Sequence, residues 1–430
     1  MRVLVLGGGG AMGAVAARVT ATLPSVTSVI VADRDRPAAQ RVAAALSGHP
    51  GARPVVADRV DVTDAAALAA VLGDTEVVLN TVGPYSRFGA VVLTAAIATG
   101  THYLDICDDP QPTTAMLALD ESARAAGVTA IIGMGASPGI SNLLAARAVA
   151  RLDEVADLYT AWPVDVGDGG DVGDDGNDGE PASVTGPDGR PSAAAVHWME
   201  QISGVVPVVA DGILAERAPL QPVALQLPGG RAGTAYVVGH PEPLTLHASY
   251  APSGDAACLM VITAGAVAFL DTLRVDIDAG RLDYAQAAAT LGAPSVWRTI
   301  RAGLKARRFS GPGTLPPFFA AATGTRAGAP LTVLATFDGT GSGMAEATGV
   351  PLALGLAQVI DGGARRPGVW APERIIDPDQ MVADLDRLAG SPGGNAIRVT
   401  EMSPSRPDSG SAASRRPSRP PLSDPTDPAS

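Results

Sequence analysis

Lysine is all but missing from this chain. Lys305 is the only one in 430 residues, and every other basic side chain is arginine. A lysine base is therefore excluded almost everywhere. Cysteine is nearly as scarce. Cys107 and Cys258 supply neither a disulfide framework nor the paired spacing of a structural metal site, so no metal is expected. No basic stripe stands out against a net charge of −13, which argues against nucleic acid and leads us to expect no membrane partner. The longest uncharged apolar run, Ala256 to Leu270, is too short to span a bilayer and contains Gly265. The chain runs straight from its first residue into a strand-like segment, with no signal-peptide pattern; a cytoplasmic location is the expectation. No internal repeat is visible.

What the chain does have is length and apolar content. At 430 residues with 46% hydrophobic residues, it is too long for one core, and two domains with additions are expected. Its clearest signal comes first. Val3-Leu4-Val5-Leu6 reads as a buried strand, and it enters Gly7-Gly8-Gly9-Gly10-Ala11-Met12-Gly13. Gly8, Gly10 and Gly13 fit G-x-G-x-x-G, and the alanine-rich segment to Leu23 reads as a helix. In that pattern the first glycine makes the turn, the second lets backbone approach a pyrophosphate, and the third lets helix pack on strand. Free N–H groups of Ala11 and Met12 at the helix start then face phosphate. A second strand-like run, Val29 to Ala32, ends at Asp33, where the fingerprint places an acid for the ribose. Dinucleotide binding is the implied function.

Strand-like and alanine-rich runs alternate through residue 145, which implies an α/β fold with a doubly wound parallel sheet of Rossmann type. Ligands of such sheets bind beyond the carboxyl ends of strands. Asp61-Val62-Thr63-Asp64 reads as a strand end and helix cap, and three further places follow from the rule. Asn80 and Val82-Gly83-Pro84-Tyr85 follow the fourth strand; Tyr85 can be an acid or donor near the cofactor, or an ordinary loop tyrosine. Asp105, on the fifth strand beside Cys107, can be a general base, a cofactor contact or the cap of a turn. After the sixth strand, Gly133 to Asn142 gathers Ser137, Pro138, Gly139 and Asn142 at a helix start, either as a carboxylate site or as a plain N-cap.

Beyond residue 146 the pattern becomes α+β. Strands are expected at Val205–Val209, Thr234–Val238 and Leu331–Phe337, and helices at Ala193–Ile202, Ala256–Leu273, Tyr284–Thr290 and Val296–Lys305. Turns are expected at Asp211-Gly212 and Gly229-Gly230. Residues 166–190 are glycine and aspartate with almost nothing apolar, and are expected to be a disordered acidic loop. Residues 403–430 are Pro-, Ser- and Arg-rich and read as a disordered tail. His240, between Gly239 and Pro241 and near Glu242, can transfer protons or simply mark a turn.

Taken in order, these stretches resemble the saccharopine dehydrogenase family, the NADP-binding type that includes saccharopine reductases and carboxynorspermidine dehydrogenases. The likeness rests on Val3 to Gly13, Asn80 to Gly89, Tyr103 to Cys107, Gly135 to Asn142, Gly239 to Pro243 and Met344 to Gly349, and on the ending Gly368 to Glu373 with Asp377-Pro378. It implies a Rossmann domain over 1–145, an inserted α+β substrate and dimerisation domain over 146–343, and a helical return to the first domain over 344–402. It implies a homodimer and hydride transfer at a C–N bond of an amino-acid-like or imine substrate, with Tyr85, Asp105 and His240 as catalytic candidates. Two features depart from the pattern. Asp33 suits NAD while family members often use NADP; Arg34 and Arg36 can accept a 2′-phosphate, so both cofactors stay open. The arginines that would grip substrate carboxylates have no clear place in the sequence. A homospermidine-synthase-like transferase with bound NAD and a non-catalytic NAD(P)-binding protein are the alternatives.

Overall fold

The structure is a computed structural model that describes residues 1–48, 51–164, 190–337, 343–389 and 396–403. The acidic loop and the tail, apart from Arg190 and Ser403, lie outside the described residues.

The first part alternates β1 (Arg2–Leu6), α1 (Ala11–Thr20), β2 (Ser28–Asp33), α2 (Arg36–Ser47), β3 (Val55–Arg59), α3 (Ala65–Gly73), β4 (Val77–Asn80), α4 (Tyr85–Thr99), β5 (His102–Asp105), α5 (Pro110–Leu117), α6 (Asp120–Ala125), β6 (Thr129–Ile131) and α7 (Ile140–Val149). The second part runs β7 (Glu154–Pro163), α8 (Ala193–Gln201), β8 (Val206–Ala210), β9 (Ile213–Arg217), β10 (Pro222–Leu227), β11 (Arg231–Val237), α9 (Glu242–Tyr250), β12 (Ala256–Val261), α10 (Ala264–Asp278), α11 (Tyr284–Gly292), α12 (Val296–Ala306), β13 (Phe319–Arg326) and β14 (Ala329–Phe337). The chain then returns through α13 (Gly343–Ile360), β15 (Gly368–Trp370), α14 (Pro378–Leu388) and β16 (Ile397–Met402).

The first sheet has the order β15-β6-β5-β4-β1-β2-β3, and every pairing in it is parallel. This is the doubly wound arrangement that the alternating pattern implied. The strand order reverses beside β1, so β1 and β4 flank the crevice. The seventh strand is an addition to the expectation. β15 comes from the C-terminal return and pairs with β6, Gly368 opposite Thr129.

The second sheet follows the order β10-β11-β12-β7-β13-β14-β16, with β8 and β9 attached at β12. The turn at Asp211-Gly212 joins β8 to β9; both residues take positive φ, 51° and 78°, as a two-residue hairpin needs. Ala256–Leu273, read from sequence as one helix, is a strand followed by a helix. β12 is buried at all six positions and pairs with β7 through each of them. A short apolar run buried on both faces carries no periodicity that separates strand from helix. Thr263 then caps α10 by accepting from the N–H of Ala266 at 3.3 Å.

One apolar core joins the two sheets. It runs from Val3 and Val5 through Leu143 and Leu144 of α7 to Ala320 and Val333, and takes in Leu352 and Leu356 of α13. α13 is long and apolar enough by composition to span a membrane, but most of it is buried in this core. It crosses α1 closely at Gly349, where an added Cβ would sit 2.6 Å from the Met12 carbonyl oxygen. Arg18 and Glu346 clamp the crossing with an ion pair in which Nη2 donates to both carboxylate oxygens at 2.6 Å.

Candidate functional site

The glycine turn leaves β1 with Gly7 at φ +79°. The N–H groups of Gly7 and Gly8 both donate to the Ala32 carbonyl, at 2.9 and 3.1 Å, and so fasten the turn to β2. The fingerprint glycines do different jobs. A Cβ on Gly13 would lie 2.5 Å from the Gly7 oxygen, and one on Gly8 would lie 2.7 Å from Val31 Cγ1. Those two are required by packing. A Cβ on Gly10 would meet nothing nearer than the Gly7 oxygen at 3.4 Å. Gly10 is exposed, caps α1 with no side chain, and opens onto space beside the first N–H groups of Ala11, Met12 and Gly13, which have no intrahelical acceptor. That is the shape of a pyrophosphate cradle. Asp33 closes its side, with Oδ2 accepting from the Gly9 N–H at 3.1 Å and Oδ1 from the Asp35 N–H at 3.0 Å. Arg34 and Arg36 are exposed just beyond. Asp61 follows β3, and its Oδ1 accepts from the Thr63 hydroxyl at 2.7 Å, which lowers its pKa. Val62 beside it is buried.

Beyond β4 and β5 lies a closed polar network. Asn80 donates from Nδ2 to the Tyr103 hydroxyl at 3.0 Å, and its Oδ1 accepts from the Val82 N–H at 3.1 Å. Tyr103 donates to Asp105 Oδ2 at 2.7 Å. Asp105 Oδ1 accepts from the N–H groups of Gly133 at 2.7 Å and Cys107 at 3.0 Å. Tyr85 turns inward from the start of α4, donates to the Asn80 carbonyl at 2.8 Å and is buried. Burial pushes Asp105 up to about 6 and both tyrosines well above their ordinary values. Gly83 and Pro84 form the surface turn over this network.

The exit of β6 meets the inserted part directly. Ser137 donates to Glu242 Oε1, and Ser141 donates to the same oxygen at 2.9 Å. His240 lies above them, with Nδ1 3.4 Å from Glu242 Oε2 and 3.5 Å from Ser137 Oγ, and its ring 5.4 Å from that of Trp162. His240 is 3% exposed and Glu242 fully buried. Burial opposes the imidazolium, but Cys258 and the Glu242 carboxylate outweigh it and raise the His240 pKa well above the ordinary value. Glu242 is lowered despite its burial, because His240 faces it. Pro138 and Gly139 shape the turn beneath. Asn142 is spent within the fold: Oδ1 accepts from the Gly139 N–H at 3.0 Å, and Nδ2 donates to Glu373 at 2.8 Å and Thr245 at 3.2 Å.

A third cluster joins residues that the sequence keeps apart. His197 on α8 sets Nε2 3.3 Å from Asp108 and 3.2 Å from Asp109, which follow β5. Gln201, one turn on, reaches Asp108 at 3.3 Å. Burial works against the His197 charge, yet the two aspartates raise its pKa to about 9. Asp108 is lowered by the same contact against its own burial, whereas burial takes Asp109 up to about 6. His240 acts on both aspartates electrostatically. Asp108 acts in turn on Tyr85 and Asp105, so the His240 pair, the acids after β5 and the network under the β4 turn border one another. The His-x-x-x-Gln spacing of α8 was the available signal, since it puts both side chains on one helical face.

A glycine cradle at the reversal of a parallel sheet, with an acid at the end of β2, defines a dinucleotide-binding protein of the Rossmann class. Comparison with known proteins narrows this. Residues 3–131 match the family described as saccharopine dehydrogenase NADP binding domain. A carboxyaminopropylagmatine dehydrogenase from Synechocystis sp. is 27% identical over 161 residues, covering 36% of this chain and 39% of that protein. The apo saccharopine dehydrogenase (L-Glu forming) of Saccharomyces cerevisiae shares the fold with a TM-score of 0.60 at 19% identity, over 94% of this chain and 100% of that one. Residues 3–131 thus resemble the NADP-binding domain of saccharopine dehydrogenases, and the chain as a whole shares the fold of the yeast enzyme.

Proposed function

We propose that this chain is an NAD(P)-dependent oxidoreductase that acts on a C–N bond of an amino-acid or imine-type substrate. The observation that carries the reading is the His240–Glu242 pair, buried on the inserted part and fastened to the exit of β6 through Ser137. In this reading Gly8, Gly10, Ala11, Met12 and Gly13 hold the pyrophosphate, and Asp33 with Arg34 meets the adenosine ribose. Asp61 and Val62 line the adenine side, and Asn80, Val82, Gly83 and Pro84 line the nicotinamide side. The bound cofactor supplies or accepts the hydride. His240 holds the proton that the substrate nitrogen exchanges, and Glu242 keeps the imidazole charged and oriented. Tyr85 and Asp105 shape the site through the network under the β4 turn. Ser137, Pro138 and Gly139 form the substrate floor, with Asn142 holding the start of α7 in place. Both His–acid groups carry donor sets that a metal could use. We read them as proton-bearing pairs, because in each the histidine faces a carboxylate that raises its pKa. The relatives named above act, by their names, on carboxyaminopropylagmatine and saccharopine, and an amine or imine substrate is in keeping with both. A cytoplasmic homodimer joined through the inserted part completes the reading.

The test is oxidation of NADPH or NADH with a panel of amines and amino acids plus 2-oxo acids. Turnover with some pair is expected. Tight cofactor binding without turnover on any pair would sink the proposal, and product without net cofactor change would point instead to a transferase. For the active pair, Glu242→Gln should move the alkaline limb of the rate profile to lower pH, since His240 then keeps its burial and loses its counter-charge. An unmoved limb removes His240 from the proton-transfer role. Sedimentation velocity tests the dimer.

A further inference from the structure

We infer that α12 docks on an anionic lipid surface. The helix carries Val296, Trp297, Ile300 and Leu304 on one face, and they are 74, 80, 48 and 70% exposed. At 100° per residue the four fall within about a quarter of the helical circumference. The opposite side is the one that the fold uses. Ala302 is buried there, Arg298 pairs with Asp276 at 2.6 Å, and Lys305 pairs with Asp271. The apolar stripe is thus not a core face turned outward by accident of length; the helix is anchored and presents it.

The charges around the stripe name the partner. Between Asp283 and Asp338 the sequence contains no acidic residue. Arg301, Arg307 and Arg308 are exposed, and no carboxylate among the described residues pairs with them. Arg301 and Arg308 flank the stripe on one side, and Arg307 follows it at the C-cap. Apolar side chains bordered by unpaired arginines, with a tryptophan among them, match the interface of a bilayer with anionic headgroups. A second copy of this chain fits less well. In a two-fold contact the same patch meets itself, so the arginines would face each other across an apolar contact of four side chains, small beside a stable dimer interface. The net charge of −13 hides the feature because it averages over the chain.

The experiment is co-sedimentation of the full-length protein with phosphatidylcholine vesicles, with and without phosphatidylserine. Binding to the phosphatidylserine vesicles, weakened by salt, is expected. The triple variant Arg301→Glu, Arg307→Glu and Arg308→Glu should bind them roughly a hundredfold more weakly, since each basic residue near an anionic surface contributes about fivefold. Leu304→Asp, on an exposed position, should also lose binding while keeping its melting temperature. Absence of binding to phosphatidylserine vesicles overturns the inference. So does binding that survives both variants. Self-association that Leu304→Asp abolishes, without vesicle binding, overturns it too and makes α12 a contact between copies. None of these readouts depends on catalytic activity.

Discussion

The N–H of Gly9 donates to Oδ2 of Asp33 at 3.1 Å, so the acid that ends β2 is tied to the glycine turn 24 residues earlier. The bond holds a carboxylate beside the cradle, at the place where the adenosine ribose sits in this fold. Asp33 accepts ribose hydroxyls well and repels a 2′-phosphate, unless Arg34 or Arg36 offsets it. Asp33→Ser should therefore shift the NAD-to-NADP affinity ratio toward NADP by about tenfold, the scale of one hydrogen bond to a charged group. Titration of both cofactors into wild type and variant measures it. An unmoved ratio means that the acid does not face the ribose.

Two glycines of the same turn separate folding from binding. Gly10 has room for a side chain on the protein side, whereas Gly13 has none. Gly10→Val should keep a near-native melting temperature and lose most of its cofactor affinity. Gly13→Ala should lose about 1–3 kcal/mol of stability, because its Cβ meets the Gly7 carbonyl oxygen. If Gly10→Val binds NADPH as wild type does, the open space beside Gly10 is not the pyrophosphate site.

The His197 clasp should make stability fall on the alkaline side. Its folded pKa of about 9 lies above the ordinary 6.5. A raised histidine stabilises fully below the unfolded value and loses that contribution as pH rises through the folded one. The window is thus about pH 6.5 to 9. Wild type should lose on the order of 1–3 kcal/mol across it from this group. His197→Gln should be less stable at pH 6 and show a flatter decline above it. Urea unfolding at a series of pH values reads both slopes, and parallel slopes would place the His197 charge elsewhere.

The parts legible in the sequence were those whose residues act locally. Gly8, Gly10 and Gly13 announce a turn, and the alternation after them announces the parallel sheet. Asp33 and His240 stand out by residue type and setting. The remainder depends on contacts that sequence distance hides. Glu242 meets Ser137 across 105 residues, and His197 reaches Asp108 and Asp109 across nearly as many. Asp105 stays open from sequence as a base, a cofactor contact or a cap, because the Gly133 N–H that fixes its Oδ1 comes within reach only once β5 and β6 are paired. β12 is illegible as a strand because a strand buried on both faces shows no period. The surface of α12 is hidden for a different reason: the net charge of −13 averages over the chain and masks the local run of arginines.

Gly349 supports the cofactor cradle without touching it. α13 reaches α1 there, and an added Cβ would press on Met12 O at 2.6 Å and Val15 Cβ at 2.8 Å. Both belong to the helix whose first turn holds the open N–H groups. Close-packed elements transmit such a displacement rather than absorb it. Gly349→Ala should lower stability by about 1–3 kcal/mol, as overpacking does, and also weaken NADPH binding. The second effect is the informative one, because a merely structural loss would leave the affinity of the folded fraction intact. Glu346→Gln is the control three residues earlier. It removes a half-exposed ion pair with Arg18, which is worth at most about 1 kcal/mol, and leaves the crossing distance alone. Calorimetric titration at a temperature where each variant is folded compares them. A Gly349→Ala protein that is less stable but binds NADPH as wild type does would show that α13 holds the Rossmann sheet together without setting the position of α1.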